Sequence, residues 1–348
     1  MKKPIYIAFV AALCMLASCT KQSIGVGPIV SGSSRSYIFF EPEVYNEVSS
    51  KAALLTEGNL PAAAGTAFGV LGYYGNTALF NGVTEVKRAV NAGPFDYEGL
   101  VAWQDNTTNH DFYAVYPYSL HSDVKPNNAN PYLSYTQPTS DDDMIDVLTA
   151  KTSTKKTSDN NVSLTFHHRL WALYVQINNA QTEGLNAAGS VTNQPTMKVT
   201  GVKVIVEQFP TTAYIYLDKT QGIDYLKSNS QVVLSSTPST YTLPVPADGD
   251  VINKNGSKTY GPLLFLPVAA GVFKYKLEIT YEDSRSVSSI HSTELMTSKT
   301  KFEEGKKYTL TINKTNDTFV LGSYFDPDEG DAFQPGDWSD ANVDHEFN

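Results

Sequence analysis

The chain has 348 residues, 41% of them hydrophobic, and a formal net charge of -10. It is long enough to bury substantial cores, its length favours two domains, and it is too acidic for a nucleic-acid surface built from clustered lysine and arginine. Its 21 Tyr, 16 Phe and 23 Gly, with many Thr and Val and few long apolar helical stripes, point to an all-β protein.

Residues 1–18 read as a leader. Lys2 and Lys3 precede an apolar run from Ile5 to Leu16, and Leu16-Ala17-Ser18-Cys19 has the pattern of a lipobox. Cys19 is therefore the expected lipidation site and first residue of the mature chain, anchored by acyl chains worth about 0.8 kcal/mol per buried CH₂. The apolar run is shorter than the roughly 20 residues that span a bilayer. Cys14 lies in the leader, so no cysteine remains in the body for a disulfide or a thiolate zinc site. Residues 19–36 are rich in Gly and Ser and read as a tether, with Ile24, Val26, Ile29 and Val30 able to form a short strand.

A first strand is expected at 37–40 with apolar character reaching Val44, then a polar, Ala-rich connector containing Lys51, then a strand at 68–74. Trp103, a strand at 112–116 closed by Pro117, and a long Asn-, Pro-, Ser- and Asp-rich loop over 121–143 follow. From Val162 to Leu170 apolar residues alternate with polar ones, as in a strand with one buried face. The apolar set then changes phase to Leu173, Val175 and Ile177, which predicts a β-bulge near Trp171. Residues 37–179 thus form one expected domain and 180–195 a linker. Residues 196–348 form a second domain with an acidic tail, with strands expected at 198–209, 213–217, 231–234, 241–245, 263–268, 272–281 and 307–313. Short strands without helical crossovers imply β-sandwiches and not a parallel sheet.

No chemistry of an enzyme stands out. His167 and His168 are adjacent on a strand and face opposite ways, so they cannot clasp one ion, and His168 is in phase with the buried set as a hydrogen-bonded core histidine would be. His110, His121, His291 and His345 lack Glu or Cys at metal spacing, and no Gly-x-Ser-x-Gly elbow is present. Nothing marks a carboxylate pair for glycoside hydrolysis. The acidic runs 141–146 and 326–331 offer oxygen ligands for calcium, but the second lacks EF-hand spacing and a solvated loop is the simpler reading of both. No cofactor and no metal site is expected.

Leu164, Phe166, His168 and Leu170, with Asp146-Val-Leu-Thr-Ala150 upstream, resemble the signature region of the Bacteroidales fimbrillin-like proteins, the subunits and relatives of the type V pilus. Phe68-Gly-Val-Leu-Gly-Tyr73, Trp103, Asp111-Phe-Tyr-Ala-Val-Tyr-Pro117 and Phe302-Glu-Glu-Gly-Lys-Lys-Tyr-Thr-Leu310 resemble the family in the same order, over most of the mature chain. The resemblance implies two tandem transthyretin-like Greek-key β-sandwich domains in a lipoprotein exported to the outer membrane and the cell-surface fimbrium. It also implies assembly with other pilus subunits, by proteolytic removal of a first strand and donor-strand addition, in cell adhesion. A trypsin-like cut is expected after Arg35 or Lys51. The family's preference for arginine puts Arg35 first, whereas release of a real strand favours Lys51. Thr318, Phe319, Val320, Leu321 and Tyr324 form the candidate donor strand. The acidic tail beyond them departs from a simple donor terminus and leaves shaft, tip and accessory roles open. The alternative is a non-polymerising outer-membrane lipoprotein that binds glycans or host protein through Tyr73, Tyr74, Trp103 or Trp338, or a membrane anchor of the fibre.

Overall fold

The computed structural model describes residues 36–44, 60–127, 129–156, 158 and 160–321, and the backbone of 333–337. Within these residues the chain is all-β, with three short 3₁₀ turns as its helical elements. Eight strands form the first sheet, in the order Phe39–Val44, Asn161–His168, Leu148–Thr154, His110–Tyr116, Ala67–Tyr74, Thr84–Arg88 and Phe95–Asp96, with Thr77–Ala78 paired to Ala67–Tyr74. Ala67–Tyr74 is central and carries an unbroken run of buried residues because both of its faces are covered. One face joins Phe68, Val70, Phe112, Ala114, Leu164 and Phe166 in an apolar cluster. The other offers Leu71, Tyr73, Tyr113 and Val115 to a second cluster.

Beyond Arg169 the chain builds two further large sheets. Ser257–Phe265, Trp171–Asn179, Lys306–Lys314 and Phe319–Leu321 make one, and Phe333–Asp337 pairs with Lys306–Lys314 as well. Ser239–Leu243, Thr196–Gln208, Lys274–Asp283 and Ser288–Ser292 form the backbone of the other. Between them lies the largest cluster, with Trp171, Leu173, Val175, Tyr308, Leu310 and Ile312 from the first and Val202, Val204, Val206, Tyr241, Leu277 and Ile279 from the second. Each such side chain stabilises the fold by about 1.5–3 kcal/mol when fully buried. The expected strands at 198–209, 213–217, 241–245, 272–281 and 307–313 correspond to Thr196–Gln208, Thr212–Tyr216, Ser239–Leu243, Lys274–Asp283 and Lys306–Lys314. The one expected at 231–234 is a two-residue bridge, Gln231–Val232, and the one at 263–268 begins earlier, as Ser257–Phe265.

The expected bulge near Trp171 is corrected by the structure. The stretch is two strands, Asn161–His168 and Trp171–Asn179, lying in different sheets, and Arg169 and Leu170 carry the chain from one to the other. The phase change in the apolar pattern is absorbed by this change of sheet. A register shift does occur, but it lies between Leu173 and Val175 against Ser257–Phe265. Gly261 sits there with φ +132°, and a Cβ at that position would meet the Leu173 carbonyl oxygen at 2.8 Å, so the irregularity requires glycine.

A four-stranded sheet, in the order Ile223–Tyr225, Thr212–Tyr216, Tyr132–Thr136 and Val124–Lys125, pairs segments from either side of 180–195. Its inward residues Leu133, Tyr135, Ala213 and Ile215 share a cluster with Leu71 and Val115 of the first sheet and with Ala172 and Tyr174 of the second.

Candidate functional site

The first strand, Phe39–Val44, lies at the edge of the eight-stranded sheet and pairs in parallel with Asn161–His168, from Phe39 opposite Asn161 to Val44 opposite Phe166. Alternation sorts its side chains. Phe40, Pro42 and Val44 are buried while Glu41 and Glu43 face solvent. The Phe40 ring meets those of Phe112, Tyr97 and Phe80 at 5.6, 5.8 and 6.2 Å, within the range of favourable aromatic pairs.

A second segment clasps this strand on its N-terminal side. Ile38 N–H donates to the Val101 carbonyl at 2.9 Å, the Tyr97 hydroxyl donates to the Ile38 carbonyl at 2.9 Å, and Trp103 N–H donates to the Ser36 carbonyl at 3.1 Å. Burial pushes the Tyr97 phenol up to about 12, as expected of a hydroxyl held in an apolar wall. Asn161 Nδ2 donates to Glu41 Oε1 at 2.6 Å across the outer face. The strand is thus an edge strip of six residues with apolar rings beneath it and strand pairing along one side.

Cys19, Arg35, Lys51 and Tyr324 lie outside the described residues, as do Trp338 and the acidic run 326–331. Thr318 is exposed. Phe319, Val320 and Leu321 pair antiparallel with Lys314, Asn313 and Ile312 of their own sheet. Phe319 is buried against the rings of Tyr281 and His291, at 5.1 and 4.9 Å, whereas Val320 is 47% exposed.

Two other expectations meet different outcomes. Tyr73 and Trp103, named as ligand-binding aromatics, are buried, with Trp103 packed edge-on to His110 and Phe112. Tyr74 is half-buried and its hydroxyl donates to Asp105 at 2.6 Å. That bond and the Thr107 and Thr108 N–H groups hold the Asp105 carboxyl well below the usual range. The acidic run at 141–146 includes a short 3₁₀ turn, where Asp141 accepts from Thr242 N–H at 3.0 Å. Among the described residues no group of three or more His, Cys, Asp or Glu stands together as a metal site, and no helix is long and apolar enough to cross a membrane.

His168 is a core histidine whose Nδ1–H donates to Asp146 Oδ1 at 2.9 Å, both groups being buried. Its neighbour Arg169, which the alternation from Val162 to Leu170 puts with the polar residues of the solvent face, is instead wholly buried. The guanidinium donates to Glu304 Oε2 at 3.0 Å, to Thr149 Oγ1 at 2.8 Å, to the Gly222 carbonyl at 3.0 Å and to the Tyr216 carbonyl. The signal available was a single basic residue between two apolar strand segments.

Burial, reinforced by the positive charges of Lys219 and Arg169, pushes the His167 imidazole down to about 4, and burial lowers His110 and His291 as well. The ordinary histidine value is about 6.5. Below it the unfolded chain takes up protons that the folded chain refuses, so stability is full above that value and falls as pH drops toward about 4. The urea midpoint is expected to be lower at pH 4.5 than at pH 7, and a midpoint that rises on acidification refutes this.

A model of the fimbrillin-like family matches residues 56–324. Among solved structures, a fimbrial protein from Bacteroides vulgatus superposes with a TM-score of 0.59 at 16% identity, covering 87% of this chain and 99% of that one. A candidate cell adhesion protein from Bacteroides ovatus gives a TM-score of 0.53 at 14% identity, covering 88% and 99%. One from Bacteroides uniformis gives 0.50 at 18%, covering 80% and 93%. At these identities the structural likeness establishes the fold. Comparison with curated proteins gave no match.

Proposed function

The chain belongs to the fimbrillin-like family, and from that premise we propose that it is a fimbrial subunit of the cell surface, exported as a lipoprotein through Cys19 and assembled with other pilus subunits in adhesion. Assembly proceeds by proteolytic release of the Phe39–Val44 strand and its replacement by a strand of the next subunit. The observation that carries this reading is the placement of that strand at a sheet edge over Phe80, Tyr97 and Phe112. Its loss would leave both an apolar trough and the unpaired N–H and C=O groups of Asn161–His168, a combination that only another strand satisfies.

The strand's position favours the second of the two candidate cleavage sites. Arg35 precedes Ser36, so a cut there leaves the whole strip attached to the body, whereas a cut after Lys51 separates it. Lys51 is therefore the processing site in this proposal. The donor is the segment containing Phe319–Leu321. Among the described residues three backbone pairs tie it to Lys306–Lys314, and of Phe319, Val320 and Leu321 it is Phe319 that is buried, so its release chiefly gives up that one ring, against which burial of the segment in a neighbour's trough is set.

The test is N-terminal sequencing of protein sheared from intact cells, with an unboiled sample beside it on a gel. A new terminus at Ala52 and a heat-sensitive ladder are expected. A blocked Cys19 on a monomer would overturn the subunit reading in favour of an anchored lipoprotein, and a terminus at Ser36 would overturn the choice of Lys51 alone.

A further inference from the structure

The four-stranded sheet carries a cluster of tyrosines on the side away from the core. Leu133, Tyr135, Ala213 and Ile215 turn inward, and strand alternation therefore projects Tyr132, Tyr214 and Tyr216 from the opposite face, each of them half-buried. Register brings the three together. Tyr216 lies directly opposite Tyr132, and Tyr214 lies opposite Ser134, the next outward position of the Tyr132 strand. The Tyr132 ring meets those of Tyr214 and Tyr216 at 5.0 and 5.9 Å. Cross-strand ring contact accounts for this packing but not for the hydroxyls. Tyr97, Tyr225 and Tyr241 each spend theirs on a backbone carbonyl, whereas among the described residues those of Tyr132, Tyr214 and Tyr216 bond to nothing in the chain.

The surroundings of the rings are rich in hydroxyl groups. Ser134 stands across from Tyr214, and Thr136 and Thr212 form the next outward pair. At the flanks, Lys125 is opposite Tyr132 and Asp224 is opposite Tyr214, with the Asp224 carboxylate already paired to Lys227 at 3.4 Å. Rings set among neutral hydroxyls suit a sugar, whose C–H faces lie on aromatic rings while its own hydroxyls exchange hydrogen bonds with those of Tyr, Ser and Thr. Size points the same way. At about 4.8 Å between strands and about 3.3 Å per residue, four strands of up to five residues present at most roughly 250 Å², against about 800 Å² that each partner buries in a specific protein interface. The face alone is too small to hold a folded protein and is on the scale of a short oligosaccharide. A net charge of -10 on the chain disfavours acidic sugars, which leaves neutral ones.

We propose that the outer face of this sheet is a binding site for neutral oligosaccharides, with Tyr132 as the central stacking ring and Tyr214 and Tyr216 beside it. The rings supply the contact area, and their hydroxyls with those of Ser134, Thr136 and Thr212 supply the polar partners. The site is built within a single chain, so it stands whether or not subunits polymerise and whichever terminus processing leaves.

The test applies the full chain to an array of short neutral, sialylated and sulfated oligosaccharides, and carries the best neutral member into titration calorimetry. Saturable binding to neutral members is expected. Tyr132→Ala and Tyr214→Ala are each expected to weaken it roughly tenfold, as loss of a stacked aromatic contact does, with the β circular-dichroism spectrum retained. Tyr132→Phe keeps the ring and gives up the hydroxyl, so it is expected to lose less than Tyr132→Ala. Ser134→Arg leaves all three rings in place and obstructs the face, so its expected loss of binding tests the site even where an alanine variant unfolds. Absence of saturable binding to every neutral member overturns the proposal. Neutral binding that neither Ser134→Arg nor the folded alanine variants weaken also overturns it, because the sugar then sits elsewhere. Binding confined to the sialylated or sulfated members overturns the choice of a neutral ligand and assigns the recognition to charge.

Discussion

Phe40→Ala is expected to lower the stability of the full chain by about 3–5 kcal/mol, the range found when a buried phenylalanine is truncated in a packed core. Phe40 is 4% exposed and its ring is shared among Phe80, Tyr97 and Phe112, so the deletion removes transfer energy and also leaves a space that three rigid rings cannot close. Glu43→Ala, in the same strand but facing solvent, is expected to stay within about 0.5 kcal/mol. Urea denaturation of both variants makes the comparison, since equal midpoints would mean that the strand contributes no core. That result would remove the trough on which the proposed assembly rests. The prediction also bears on processing. If the connector were cut as proposed, a strand held by this much apolar contact would stay in place as a non-covalent plug. In the proposed assembly its departure would then have to be driven by a competing strand with a better fit.

Much of this trough was legible in the sequence, and the reason is periodicity. Phe40, Pro42 and Val44 repeat at the strand period, as do Val162, Leu164 and Phe166. That these two strands lie side by side and in parallel was not legible, because their pairing joins residues far apart in the chain, and local pattern carries no record of a partner. The same limit explains the error at Trp171. A slip in apolar phase is compatible with a bulge inside one strand or with a break between two, and only the neighbouring strands decide between them. His168 was legible as a core residue from its phase, whereas Asp146, its hydrogen-bond partner, was not. Trp103 and Tyr73 failed as surface aromatics for a related reason. Their burial depends on His110, Phe112 and Tyr113 across the sheet, and a large aromatic in a strand is far more often core than platform.

Arg169→Leu is expected to cost about 3–5 kcal/mol, the range seen when one partner of a buried charged network is removed. The guanidinium ties four segments at the point where the chain changes sheet. Thr149 belongs to the eight-stranded sheet, Tyr216 and Gly222 flank the end of a strand in the four-stranded sheet, and Glu304 begins the turn into Lys306–Lys314. Leucine fills part of the volume but donates nothing. The Tyr216 carbonyl and the Thr149 hydroxyl lose this donor, at about 1–3 kcal/mol for each group left buried and unpaired, whereas the Gly222 carbonyl keeps the Tyr216 N–H. Glu304 suffers less, because its side chain is 23% exposed and can rehydrate. Arg169→Lys is expected to recover a minor part, since an ammonium cannot reproduce a planar fork that reaches a carboxylate, a hydroxyl and two carbonyls together. Combining Arg169→Leu with Glu304→Gln distinguishes the two components in a urea-unfolding cycle. A double variant no less stable than Arg169→Leu alone indicates that the ion pair contributes through Arg169. A further loss as large as that of Glu304→Gln in the wild type would mean the two residues act independently, and the buried arginine would then be holding the sheets together through its carbonyl and hydroxyl partners.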